Sequence, residues 1–121
     1  MRILAASDLL FGSRIQQAAE AHGLEVALTS RDSDVLGKAR ALGPAAVLID
    51  LAGVPDGPAL VRSLKAEPAL AGMQVIGYLG HTHADLFEAA RAAGADQVLA
   101  KGELTRRLPE LMRDLAASRP S

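Results

Sequence analysis

A run of five apolar residues, Ala45-Ala46-Val47-Leu48-Ile49, leads into Asp50-Leu51 and is closed by Ala52-Gly53-Val54-Pro55-Asp56-Gly57. The run is too short for a buried helix and is ended by Gly and Pro, so it predicts a strand covered on both faces inside a parallel sheet. Arg2-Ile3-Leu4-Ala5-Ala6, ending in Ser7-Asp8, predicts a first buried strand of the same kind. From Leu9 to His22 the apolar positions Leu10, Ile15, Ala18 and Ala19 fall at near-helical spacing, and Gly23 supplies a helix end. Leu24 to Thr29 alternates weakly and predicts a more exposed strand, and Ser30 to Ser33 a loop. Asp34 to Leu42 predicts a short helix stopped by Gly43-Pro44.

Beyond the central run, Leu60, Val61 and Leu64 with Arg62 and Lys65 between them predict an amphipathic helix limited by Pro68. Gln74 to Leu79 predicts a fourth strand with a polar exit loop, Gly80-His81-Thr82-His83. Ala84 to Ala93 predicts a helix closed by Gly94, and Gln97 to Ala100 a fifth strand ending at Lys101-Gly102. Leu104, Leu108, Leu111, Met112 and Leu115 share one face of a last helix, with Pro109 expected in its first turn or bending it. Strand and helix alternate throughout with short connections. The expected fold is α/β: a doubly wound five-stranded parallel sheet with helices on both faces, in the flavodoxin-like order 2-1-3-4-5, as a single domain over residues 1–121.

Composition narrows the functions this frame can carry. The chain has 121 residues, half of them apolar, and a net charge of −1, so no broad basic surface points to nucleic acid and no basic amphipathic helix to a membrane. Cysteine is absent, which removes disulfides, thiolate metal sites and Cys nucleophiles. Met1 runs straight into a strand, with no leader pattern, so a cytoplasmic location is expected. Phe11, Tyr78 and Phe87 are too few aromatics to favour stacking of flavin or single-stranded bases, and there is no Gly-rich phosphate loop; no organic cofactor is expected.

In the order 2-1-3-4-5 the first and third strands are neighbours. Asp8 and Asp50 then face each other across one crevice at the carboxyl edge, with Lys101 arriving from the fifth strand. Two adjacent carboxylates suit a hard divalent cation such as Mg2+, and the lysine suits Asp50 or a phosphoryl oxygen. Such parts serve phosphoryl transfer to a carboxylate, Asp being the nucleophile. His81 and His83, in the exit loop of the fourth strand, lie near this edge; without a third ligand they read as solvated.

At these residues the chain resembles the receiver domain of two-component response regulators (CheY-like), over nearly its full length. Arg2 to Asp8 is similar to that family's first strand and acidic pair, Ala46 to Leu51 with Val54-Pro55-Asp56-Gly57 to the phosphoacceptor strand and its loop, and Ala92 to Lys101 to the segment that leads to the family's lysine. The resemblance implies Asp50 as phosphoacceptor, Lys101 as phosphate-binding, and Mg2+ held by Asp8, Asp50 and the backbone carbonyl of Ala52, with Ser7 where the family has its first acid. Other positions depart from the pattern. Leu79 stands for the switch Ser or Thr, Val98 for the switch aromatic, and Gly102 for the proline after the lysine; Thr82 lies too far along its loop to replace the missing hydroxyl without backbone rearrangement.

The expected function is therefore an atypical single-domain receiver, a pseudo-receiver that is not an enzyme, acting in signal transduction as a protein–protein interaction module with weak or absent phosphorylation at Asp50 and weak Mg2+ binding. One alternative is a phosphorylatable receiver that accepts phosphate from a histidine kinase with Mg2+. A lesser one is a small flavodoxin-like enzyme or cofactor carrier, since Ser7 to Gly12 vaguely resembles a cobalamin-binding motif with Leu10 in place of its histidine. The family resemblance implies a partner or homodimer surface on the fourth helix, fifth strand and fifth helix, with Arg91, Gln97 and Arg106 as exposed members. Arg106, Arg107 and Arg113 also read as a solvated helical face.

Overall fold

A computed structural model describes residues 1–80 and 83–117. The elements follow in the order β1 (Arg2–Ala6), α1 (Leu9–Glu20), β2 (Glu25–Thr29), α2 (Val35–Leu42), β3 (Ala46–Asp50), α3 (Gly57–Ala66), a 3-10 turn (Pro68–Leu70), β4 (Gln74–Leu79), α4 (Ala84–Ala92), β5 (Gln97–Ala100) and α5 (Lys101–Ala117). The strands form one sheet in the order β2-β1-β3-β4-β5, every neighbouring pair parallel. The doubly wound arrangement expected from the alternation of strand and helix is therefore the one adopted.

All five residues of β3 are buried, and their alternation divides the interior into two layers. Ala46 and Leu48 join Ile3, Ile15, Ile76, Leu104 and Met112 beneath α1 and α5. Val47 and Ile49 join Leu4, Val61, Leu64, Val75 and Ala90 beneath α2, α3 and α4. Register brings the carboxyl ends of the strands level: Ala6 faces Thr29 and Ile49, Asp50 faces Tyr78, and Leu79 faces Ala100.

Aspartates start three of the helices. Asp8, Asp34 and Asp56 accept from the backbone N–H groups of Phe11, Gly37 and Ala59 at 2.7, 2.9 and 3.1 Å, satisfying donors that have no partner within the helix. Gly43 ends α2 in the left-handed conformation, φ 58°. Asp96 ties the α4–β5 turn back to the sheet, its Oδ2 accepting from Val75 N at 2.7 Å and pairing with Lys65 Nζ at 3.0 Å.

One expectation requires correction. Leu10 is 73% exposed, because α1 turns Phe11 and Ile15 inward and leaves Leu9 and Leu10 outside. Of the two places expected for Pro109, the first turn is excluded: the helix already begins at Lys101, directly after β5, and Pro109 lies in its interior.

Candidate functional site

Four connections meet at the carboxyl edge of the sheet. The exit of β1 supplies Ser7 and Asp8, the loop after β2 supplies Arg31, the end of β3 supplies Asp50, and the junction of β5 with α5 supplies Lys101. Asp8, Arg31 and Gly53 line one open depression of about 500 Å3, together with Ser7, Leu9 and Asp32. Asp50 lies behind it, its side chain only 13% exposed.

Each acid is engaged by protein donors. One oxygen of Asp8 accepts from Phe11 N, and the other pairs with Lys101 Nζ at 3.8 Å. Lys101 Nζ also stands 5.0 Å from the centre of the Phe11 ring, a cation–π distance. Oδ1 of Asp50 accepts from Gly53 N at 3.2 Å, and Oδ2 pairs with Arg31 Nη1 at 3.3 Å. A carboxylate this far from water needs a nearby positive charge, and Arg31 supplies it. The lysine expected beside Asp50 pairs instead with Asp8.

Tyr78 forms the floor. It faces Asp50 in the β3–β4 register, is 1% exposed, and stacks on Phe11 at 4.7 Å between ring centres. Ser7 lies near its hydroxyl, but Ser7 Oγ donates to the Asp8 carbonyl at 3.1 Å, and among the described residues the buried Tyr78 oxygen has no partner within hydrogen-bond geometry. Burial, reinforced by the negative charges of Asp50 and Asp8, pushes the phenol well above its ordinary value.

The two altered switch positions lie in the other layer. Leu79 is 2% exposed in the core beneath α2, α3 and α4, and Val98 is partly buried against the same core. On the flank, Arg91 and Arg106 are exposed and Gln97 is half-buried. Arg91 pairs with Glu88 at 3.9 Å, while Arg107 and Arg113 pair with Glu103 and Asp114 of their own helix. Ala52 is exposed in the turn after β3. His83 precedes α4 without a side-chain capping bond and lines a different groove, with Leu79, Ala84, Phe87 and Ala100. His81 and Thr82 lie outside the described residues.

Arg31 and Tyr78 are the site residues that sequence reasoning missed. A cation in the exit loop of β2 falls on the same sheet edge as Asp50 by topology, and only the small Ala6 and Ser7 end the strand between them. Tyr78 had its signal in strand parity, since it and Leu79 must point to opposite layers.

The donor set fits Mg2+ poorly. A hard divalent ion wants several oxygens free of competing cations, yet every oxygen of Asp8 and Asp50 already has a protein donor or cation. Among the described residues there is no cluster of three His, Cys, Asp or Glu side chains able to hold a metal.

No family model matches the sequence, and no curated protein matches it. Solved structures do. A response-regulator receiver domain from Bermanella marisrubri superposes with a TM-score of 0.80 at 24% identity, covering 94% of this chain and 96% of that one. A response regulator from Thermotoga maritima gives 0.79 at 17% identity, covering 97% and 98%. The chemotaxis response regulator CheY4 of Vibrio cholerae gives 0.79 at 16%, covering 94% and 97%. With the sheet order and the acid edge described above, the likeness shows that this chain has the receiver-domain fold of response regulators.

Proposed function

We propose that this chain is an atypical receiver that works in signal transduction as a protein–protein interaction module, with little or no phosphorylation at Asp50. The observation that carries this reading is the state of Asp50: Gly53 N and Arg31 Nη1 engage its two oxygens, and Lys101 has gone to Asp8. A nucleophilic carboxylate shared in this way is a poorer acceptor, and the thin oxygen set makes Mg2+ binding weak. Leu79 and Val98, packed into an apolar layer, put aliphatic side chains at the two positions where the resemblance expects the switch hydroxyl and the switch ring. Such a module has no catalytic role of its own and would work in the cytoplasm; among the described residues no helix is long and apolar enough to cross a membrane.

The partner surface in this reading is α4, β5 and α5. Arg91 and Arg106 stand exposed there, Gln97 lies beside them, and a groove of about 310 Å3 opens between Phe87 and Ala100. A second copy of the chain or a histidine kinase would dock on it. One feature favours the alternative, a phosphorylatable receiver: Arg31 and Lys101 place two cations at the edge where a phosphoryl group would accumulate charge.

Incubation with Mg2+ and a small phosphodonor, followed by intact-mass measurement, separates the readings. The expected result is a minor phosphorylated fraction at most. A stoichiometric single-phosphate shift that disappears in Asp50→Asn would establish the phosphorylatable reading instead.

A further inference from the structure

The turn after β3 lies directly against the Arg31 side chain. A Cβ added to Gly53 would lie 2.8 Å from Asp50 Oδ2 and 2.9 Å from Arg31 Nη1, and would overlap Arg31 Cδ. The side chain of Arg31 therefore rests on bare backbone, and that placement brings its Nη1 to the Asp50 oxygen that Gly53 N does not hold. Asp50 is largely removed from water, while the arginine remains 43% exposed. The acid thus has a protein-supplied counter-charge at the mouth of the depression.

We infer that Arg31 is the resident cation of the acid edge: it takes the electrostatic place of a divalent metal ion at Asp50, and its removal opens a divalent-cation site. A fixed positive charge competes with Mg2+ twice, by occupying a carboxylate oxygen and by repelling a second cation a few ångströms away. Lys101 acts on the other acid: its ammonium pairs with Asp8 and lies over Phe11, and it leaves the two Asp50 oxygens to Gly53 N and Arg31. The inference deepens the interaction-module reading, on which it rests for the competing ligand, and it names the residue that keeps that ligand out. A pocket built in this way would hold one electrostatic state across changes in free Mg2+.

The test is a Mg2+ titration of the whole chain followed by the backbone amide NMR signals of Asp8, Asp50 and Gly53, with Mn2+ broadening as a second probe. Wild type, Arg31→Ala, Arg31→Gln and the double variant Arg31→Ala with Asp50→Asn are compared; Arg31 lies on a surface loop outside both core layers, and the double variant removes the buried charge that Arg31 balances. Wild type should show no saturation through the low-millimolar range. Both single variants should bind about tenfold more tightly or better, and the double variant should lose the gain. Equal binding by wild type and the single variants, or no binding by any of them, would overturn the inference. The two proposals fail separately. Equal metal binding in an unphosphorylated wild type defeats the role of Arg31 alone, whereas stoichiometric phosphorylation of wild type defeats the interaction-module reading.

Discussion

Tyr78 stands opposite Asp50 across the β3–β4 pairing, yet its hydroxyl, buried beside two carboxylates, donates to neither. An unsatisfied buried hydroxyl costs about 1–3 kcal/mol. Tyr78→Phe keeps the stack on Phe11 and removes the orphan oxygen, so it should stabilise the fold by about 1 kcal/mol in urea unfolding. Burial also raises the phenol above its ordinary value of 10.0. Its neutral form contributes in full below that value; as pH rises toward the folded value, the unfolded chain releases the proton first and stability falls. The phenylalanine variant should lack this alkaline loss.

Asp8 has two roles that substitution can separate. Its side chain caps α1 through Phe11 N and pairs with Lys101. Asp8→Ala should cost about 1 kcal/mol, mostly the cap, because a half-exposed ion pair adds little. Asp8→Asn keeps an oxygen for the cap and should lie within a few tenths of a kcal/mol of wild type, as measured by chemical denaturation.

Away from the edge, Glu67 should set part of the acid sensitivity. It accepts from Arg40 Nε at 2.9 Å and from Ala69 N, and these bonds, Arg40 first, hold its carboxyl below the ordinary 4.5. A depressed carboxyl contributes stability above the unfolded value and loses it as pH falls through the folded one. Wild type should therefore exceed Glu67→Gln in stability at neutral pH, and the difference should vanish in strong acid. Paired urea titrations at the two pH values measure it.

The alternation of strand and helix made the sheet readable, and with it the convergence of Asp8, Asp50 and Lys101 on one edge. Pairing within that edge was not readable. Topology says which loops meet, but the reach of Arg31 to Asp50 depends on a long side chain leaving an irregular loop and on the bare backbone of Gly53 beneath it. Leu10 looked like a core residue because the helical spacing admitted it; the helix starts so close to the strand that Phe11, one position on, takes the inward direction instead. No sequence signal announced that β5 passes into α5 without a loop, which sets Pro109 in the helix interior and not in the first turn.

The division of the interior by β3 bears on how the flank can respond to a load. Leu104, Leu108 and Met112 of α5 are anchored with Tyr78 on one side of the sheet, and Ala90 of α4 with Leu79 on the other. The two helices that frame the proposed docking face thus bury their apolar sides in different layers, one on each face of the sheet. A partner gripping only α5 would strain the wall that holds Tyr78, and one gripping only α4 the wall that holds Leu79.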